Sequence, residues 1–153
     1  LHKCFEVGVV NREKLGCVFD SYGIKPDDAV SSAVNASMSF FVSFLNRLSP
    51  TGIFIEMPIL GLDEKGSVIA GKVDLVVETE EGLWIIDHKS DQTDNPEELF
   101  DYYLPQLECY AGIISKAMPG KPVLGYVVNW ISRGELMTME CVSGIKAFGD
   151  RIK

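Results

Sequence analysis

The sequence lacks the features of secreted and membrane-spanning proteins. Its four cysteines are widely scattered and include no C-x-x-C pair, so we expect reduced, mostly buried thiols. No apolar run is long enough to cross a bilayer, and the first residues do not have the layout of a signal peptide. Internal repeats and low-complexity tracts are absent as well. We therefore expect a cytoplasmic protein with no membrane partner.

Positive charge is also scarce. Lys and Arg number 14 against 22 Asp and Glu, which gives a formal net charge of -8. Proteins that bind nucleic acid usually present a basic surface, because neutralising phosphate supplies most of their non-specific affinity. The charge counts against such a function, although several acids cluster between residues 91 and 98, where we expect a solvated loop.

The chain has the size and composition of one globular domain. Its 153 residues can bury a proper core, and 46% hydrophobic with 24% charged residues is an ordinary balance. Residues 1–6 read as the middle of a helix without a cap, and no initiator methionine is present. We therefore expect residues 1–153 to form a single domain excised from a longer chain.

The apolar periodicity predicts an α/β fold, with a mixed central sheet flanked by helices. Asp27 is the expected N-cap of a long amphipathic helix that ends near residue 49. Three strands follow with short connections, which predicts an antiparallel meander. The predicted elements after that helix are strands at 53–60, 68–78 and 83–89, a helix at 104–118 with Pro105 in its first turn, a strand at 122–130, an edge strand at 135–142 and a helical tail at 145–153.

Two of these apolar strands carry charged residues where core residues would be expected. Asp74 interrupts the second strand, and Asp87 lies near the end of the third, two positions before Lys89. Because side chains alternate along a strand, Asp87 and Lys89 point to one face and His88 points to the other. Burying charge is costly unless it is paired or bound to a metal. A divalent cation facing a phosphate would account for two acids and a lysine at one edge of the sheet.

Four short motifs occur in an order that resembles the PD-(D/E)XK nuclease superfamily. They are Glu56-x-Pro58, Gly71-x-x-Asp74, Asp87-x-Lys89 and Gln106-x-x-x-Tyr110, and they span about a third of the chain. The set is most similar to the RecB-type branch, found at the end of RecB/AddA-type helicase-nucleases and in small stand-alone exonucleases. Asp-x-Lys alone is a weak signal, whereas the ordered set is specific. The resemblance implies a restriction-endonuclease-like core.

The resemblance implies catalytic roles for the strand residues. Asp74 and Asp87 would share Mg²⁺ or Mn²⁺, because hard cations prefer carboxylate oxygen. Lys89 would orient or help deprotonate the attacking water, or hold the scissile phosphate. The residues alone also allow two solvated acids at a sheet edge, neutralised by a lysine.

Further site residues follow from the same resemblance. Glu56 would bind the metal through water or position a ligand, unless it is a strand residue facing solvent. Gln106 and Tyr110 are four apart on a helix and share one face. In the family that face points at the active site, and the alternative is a core tyrosine with an exposed glutamine. His2 would add a nitrogen ligand to the metal, whereas a histidine so near the start is otherwise a frayed surface residue.

Together these implications favour a metal-dependent DNA nuclease. It would be the exonuclease module of a RecB-type helicase-nuclease that acts in double-strand-break repair and recombination. A helicase domain or subunit would deliver DNA at high effective concentration, so we expect this acidic fragment alone to bind DNA weakly. The alternatives are a stand-alone RecB-like exonuclease of the CRISPR-associated or phage type, and a catalytically inert DNA-holding scaffold of the same fold.

Two further expectations concern a cluster and an aromatic pair. Some RecB-type nucleases hold an iron–sulfur cluster through closely spaced cysteines near the C-terminus; that spacing is missing here, so no cluster is expected. Tyr102 and Tyr103 precede the predicted helix at 104–118. They would either stack on single-stranded bases or pack at the entry to the helix.

Overall fold

The computed structural model describes residues 3–5, 15–23, 25, 27–62, 65–91, 93–141 and 146–151. Residues 3–5 are helical. The other elements within these ranges are the helices α1 (Leu15–Ser21), α2 (Asp28–Arg47) and α3 (Pro96–Ala117), and the strands β1 (Gly52–Leu62), β2 (Val68–Glu78), β3 (Leu83–Lys89), β4 (Val123–Trp130), β5 (Glu135–Glu140) and β6 (Lys146–Arg151). In the part of the chain that is described, no helix is both long and apolar enough to cross a membrane.

The described strands form one mixed sheet in the order β1-β2-β3-β4-β5-β6. Strands β1 to β3 pair antiparallel, which confirms the predicted meander. Strand β3 pairs parallel with β4, and α3 supplies the long crossover connection that a parallel pair needs. Strands β4 to β6 are antiparallel again. The predicted α/β fold is therefore confirmed.

Helix α2 covers one face of the sheet. Its N-cap is Asp27, as predicted, and the Asp27 carboxylate accepts a hydrogen bond of 2.7 Å from the Val30 backbone N–H. The helix buries one stripe of side chains, including Phe41 and Phe44. These side chains pack against a core that also contains residues of β2, β3 and β4. The burial of this stripe fixes α2 on the sheet.

Helix α3 covers the opposite face and begins earlier than predicted. The structure starts it at Pro96, with Asn95 as N-cap, so the predicted start near residue 104 is wrong. The Asn95 side chain accepts a hydrogen bond from the Glu98 N–H, and Pro96 occupies the first turn, where a missing N–H costs nothing. Pro105 consequently lies inside the helix rather than in its first turn.

The C-terminal part of the sheet also differs from the prediction. Residues 146–151 form strand β6, so the expectation of a helical tail is wrong for these residues. Strand β5 pairs with both β4 and β6 and is therefore not an edge strand. The residues of β5 alternate too little in polarity to tell an edge from an interior position.

The four cysteines all lie among the described residues and are free thiols. Cys4 is buried, Cys109 is half-buried, and Cys17 and Cys141 are exposed. The expectation that most would be buried is therefore wrong. Cys141 follows β5 in a turn, and Cys17 lies on an exposed side of the short helix α1.

The side chains of β1 and β2 switch from one face of the sheet to the other partway along these strands. Residues two apart on a strand normally share a face, yet Ile55 packs on the α2 side whereas Met57 packs on the α3 side. Their partners on β2, Leu75 and Val73, divide in the same way. Between Ile55 and Met57, Glu56 has a φ of 51°, in the left-handed region. This residue rotates the β1–β2 ribbon, so that beyond it the ribbon runs along α3.

A close approach between the ribbon and α3 depends on a glycine. A Cβ atom built on Gly61 would lie 2.8 Å from Cγ1 of Ile113, which is nearer than such atoms approach. Ile59, two residues earlier, packs in the α3-side core. The missing side chain at Gly61 therefore lets the ribbon lie against the helix.

The burial of Phe41 in the core beneath α2 makes a prediction about stability. We expect Phe41→Ala to lower the free energy of unfolding by about 3–5 kcal/mol, because the ring is fully buried and its removal leaves a cavity. The matched control is Phe54→Ala, whose ring is 38% exposed and should cost about 1 kcal/mol. Urea unfolding measures both changes. Equal losses from the two variants would contradict this assignment of the core.

Candidate active site

The site lies where β2 and β3 separate. Their backbones are paired from Glu78 opposite Leu83 to Leu75 opposite Ile86. At the next position β2 supplies a side chain in place of its backbone, since Oδ2 of Asp74 accepts a hydrogen bond of 2.8 Å from the His88 backbone N–H. Asp74 is half-buried, and its carboxylate closes the gap between the diverging strands.

Asp87 and Lys89 extend from β3 on the α3 side of the sheet. Oδ2 of Asp87 lies 2.8 Å from Nζ of Lys89, so the two side chains share a face, as the alternation predicted. Asp87 is only 6% exposed, and the Lys89 side chain is 18% exposed. This is a largely desolvated ion pair with one end open to solvent.

His88, between these two residues, points to the other face, as predicted. Its ring packs against Phe5 and Phe41, with centroids 5.2 and 4.9 Å away. Its Nδ1 lies 3.0 Å from Nδ2 of Asn129 on β4. The Asn129 amide therefore fixes the orientation of the ring. His88 thus anchors the α2 side of the strand that carries Asp87 and Lys89.

Lys89 is held by several groups at once. Its Nζ lies 4.2 Å from the centre of the Tyr103 ring, and the Tyr103 hydroxyl donates to Oδ2 of Asp91 at 3.2 Å. Burial lowers the pKa of Lys89, but the hydrogen bond and charge of Asp87, together with smaller contributions that include Asp74, outweigh it and raise the pKa above its ordinary value. Asp74, Asp87 and Lys89 therefore act on one another electrostatically.

Tyr103 was predicted to precede the helix, where it would stack on single-stranded bases or pack at the helix entry. It lies within α3 instead, and its contact with Lys89 was not predicted. Burial, followed by the charge of Asp91, raises the pKa of its phenol, which stays protonated near neutral pH. Because a loop was predicted before residue 104, Tyr103 was not expected on the helix face that carries Gln106 and Tyr110. With the helix beginning at Pro96, Tyr103 is three residues before Gln106 and seven before Tyr110, which is the spacing of one helical face.

Glu56 lies across from Asp74, between the Ile55–Leu75 and Met57–Val73 pairs. Its carboxylate lies 2.6 Å from Nζ of the exposed Lys72, and its own side chain is 31% exposed. Glu56 on β1 is therefore level with Asp74 on the neighbouring strand β2.

Gln106 and Tyr110 share one face of α3, as the spacing required. Nε2 of Gln106 donates a hydrogen bond of 2.6 Å to the Tyr110 hydroxyl. A Cβ atom on Gly71 would lie 3.6 Å from that same hydroxyl, so this pair lies beside β2, three residues before Asp74. Tyr110 packs at the edge of the α3-side core, and Gln106 is exposed.

The remaining predicted ligand, His2, lies outside the described residues. Among the residues that are described, no group of three His, Cys, Asp or Glu side chains is placed to hold a metal ion. Two carboxylates on neighbouring strands, Asp74 and Asp87, are nevertheless present beside one lysine.

Comparison with known proteins agrees with this geometry. A family model described as the PD-(D/E)XK nuclease superfamily matches residues 21–133. One subunit of the ATP-dependent helicase/nuclease of Lactiplantibacillus plantarum is 29% identical over 112 residues, which cover 63% of this chain and 9% of that protein. The chain therefore spans about a tenth of the length of this curated relative. The range that the family model matches includes every predicted site residue except His2.

The ion pair makes a prediction about titration. We expect Asp87→Asn to lower the pKa of Lys89 in metal-free protein, because burial would then act against a weaker hydrogen bond and one charge fewer. NMR of ¹³Cε-labelled lysine, followed as the pH is raised, measures this pKa. The control is Glu56→Gln, which removes a carboxylate paired with a different lysine and should leave Lys89 unchanged. An unchanged Lys89 pKa in Asp87→Asn would contradict the described pairing.

Proposed function

Because this chain belongs to the PD-(D/E)XK nuclease superfamily, we propose that it is a divalent-metal-dependent deoxyribonuclease that acts as an exonuclease. The observation that carries the proposal is the convergence of Asp74, Asp87 and Lys89 where β2 and β3 separate. Hydrolysis of a phosphodiester develops negative charge on the phosphate and needs a positioned water. Two acids and a lysine in a partly desolvated site supply groups suited to both requirements.

The residues present fit a Mg²⁺ or Mn²⁺ ion. Lys89 brings one positive charge to two carboxylates, so the site keeps an excess of negative charge in a place with little solvent. Mg²⁺ is commonly bound through one or two carboxylates while it retains several waters. Asp74 and Asp87 would hold the ion, with His2 as the proposed third ligand. When bound, the ion supplies charge neutralisation at the phosphate and a more acidic water.

The other residues would arrange the substrate around this centre. The Lys89 ammonium would face the attacking water or the scissile phosphate, and Tyr103 and Asp87 would hold it in place. Gln106 and Tyr110 already form a hydrogen-bonded pair on the helix face beside β2, where polar groups can position a phosphate. Glu56, which is level with Asp74 on the neighbouring strand, would orient a water ligand of the metal.

The helicase/nuclease relative supports a larger context. We propose that residues 1–153 are the nuclease domain of a longer RecB-type helicase-nuclease, located in the cytoplasm and used in double-strand-break repair and recombination. The net charge of -8 fits a module that receives DNA from a tethered helicase, because such a module needs little affinity of its own.

Cleavage assays test the proposed activity. We expect wild type to degrade labelled single- or double-stranded DNA with Mg²⁺ or Mn²⁺ but not with EDTA. Asp87→Ala and Lys89→Ala should each lower the rate by at least about 10²-fold, because Asp87→Ala removes a proposed ligand of the metal ion and Lys89→Ala removes a positive charge beside the phosphate or the attacking water.

Two exposed residues provide matched controls for these variants. Asp28→Ala and Lys116→Ala change the same residue types at the start of α2 and near the end of α3, and both should cleave like wild type. Full activity in folded Asp87→Ala would contradict the proposed site. If the folded wild type neither cleaves DNA nor binds Mn²⁺, the nuclease proposal is wrong and the alternative of a catalytically inert, DNA-holding scaffold is favoured.

Metal binding can be measured without cleavage. With free Mn²⁺ at about 100 times its Kd, binding should add about 2.7 kcal/mol to stability, which raises the Tm of a domain of this size by roughly 5–10 °C. Asp87→Asn should lose this increase, measured against its own Tm in EDTA, and Asp28→Asn should keep it. A full increase in Asp87→Asn would show that Mn²⁺ binds elsewhere.

A further inference from the structure

An exposed aromatic side chain lies at the rim of the site. Tyr102 on α3 is 75% exposed. Its ring meets that of Tyr103 in a T-shaped contact, with centroids 5.3 Å apart. The Tyr103 ring lies 4.2 Å from Nζ of Lys89. These two separations place the Tyr102 ring no more than about 9.5 Å from that nitrogen.

The Tyr102 ring has a face open to solvent. A single T-shaped contact covers at most one face of an aromatic ring, and the exposure of 75% agrees with an uncovered face. The contact with Tyr103 also limits the positions of the ring. Tyr102 is therefore a supported but accessible aromatic surface.

Two cavities lie near this ring. The first, of about 410 Å³, is lined by Thr93, Asn95, Glu98, Leu99 and Tyr102 itself. A second cavity of about 410 Å³ shares Thr93 with the first and is lined also by Asp94, Ser132 and Arg133. The two cavities therefore adjoin at Thr93.

The two cavities lie at the ends of the parallel strands. Residues 90, 91 and 93–95 follow β3, and residues 131–134 follow β4. Hydrogen bonds join these two connections, because the Ser132 hydroxyl donates to the Asp91 carbonyl and the Arg133 guanidinium donates to the Thr93 carbonyl. Ligands of α/β sheets commonly bind beyond the carboxyl ends of parallel strands. Both cavities are lined by residues of the connection that follows Lys89 at the end of β3.

We propose that Tyr102 stacks on a base of single-stranded DNA whose backbone passes through the Asp74–Asp87–Lys89 site. The inference rests on the proposed function and adds a substrate class to it. An unpaired base can offer a face to the ring, whereas bases inside a duplex are covered on both faces. With a net charge of -8, phosphate contacts contribute little affinity. Stacking needs no charge and contributes at each base that meets a ring.

The distance to Lys89 also fixes where the stacked base lies. Nucleotides in a stacked strand are about 3.4 Å apart, so a ring within about 9.5 Å of Lys89 reaches bases up to about three nucleotides from the cleaved bond. The contact should therefore depend on one base at a defined distance from that bond.

Cleavage kinetics on single-stranded oligonucleotides test the stacking. Tyr102→Ala should raise KM by about 5- to 150-fold, the range expected for loss of one base–aromatic stack, and Tyr102→Phe should resemble wild type because it keeps the ring. A single abasic nucleotide, moved through the three positions nearest the cleaved bond, should impair wild type at one position and leave Tyr102→Ala unaffected there. Equal KM values for wild type and Tyr102→Ala would overturn the inference.

A binding measurement separates this inference from the proposed function. An oligonucleotide with 2-aminopurine at the sensitive position, or at each of the three positions in turn, should lose fluorescence in EDTA with wild type and Tyr102→Phe but not with Tyr102→Ala. Failure of wild type to cleave any DNA with Mg²⁺ or Mn²⁺ counts against the nuclease, while the fluorescence still reports on stacking. Cleavage by wild type without quenching that depends on Tyr102 overturns the stacking alone.

Discussion

The hydrogen bond from the His88 backbone to the Asp74 carboxylate determines the arrangement of the site. It occupies the amide that the next backbone pair of β2 and β3 would otherwise use. The strands can therefore part without leaving a buried amide unsatisfied, which would cost free energy. Beyond this point the β1–β2 ribbon turns along α3, and the left-handed backbone of Glu56 supplies the rotation. The opening between the ribbon and β3 is where Asp87 and Lys89 emerge.

The two faces of β3 differ in character, since one is apolar and the other carries an ion pair. On the α2 side, Ile86 and His88 are buried against an apolar core, and the His88 ring is fixed by Asn129. On the α3 side, Asp87 and Lys89 form an ion pair that burial alone would disfavour. The apolar packing on one face thus holds the charged pair on the other at a fixed position. Tyr103 and Asp91 then limit the freedom of the lysine.

Much of the fold could be predicted because its signals are local. The β1–β3 meander follows from strand-length apolar runs with short turns, and the Asp27 cap follows from one residue type at a helix start. The beginning of α3 was missed although Asn95, Pro96 and two glutamates are themselves a helix-start signal. Strand β6 was not predicted because it is defined by its pairing with β5, a tertiary contact that the sequence of six residues does not indicate.

The candidate site divides in the same way. Alternation along one strand predicted the Asp87–Lys89 pair and the opposite orientation of His88, and helical spacing predicted the Gln106–Tyr110 pair. The position of Tyr103 over Lys89 could not be predicted, because it requires that α3 begins at Pro96 rather than near residue 104. The rotation at Glu56 depended on a backbone angle that glutamate rarely adopts, so no sequence pattern could predict it.

The central claim is that Asp74 and Asp87 act as one catalytic unit. It is tested most directly by single-turnover DNA cleavage with Mg²⁺ for Asp74→Asn, Asp87→Asn and the double variant. Residues that act together on one step give losses that are far from additive. We predict that the double variant cleaves no more slowly than the slower single variant. Losses that multiply in the double variant would contradict the shared site.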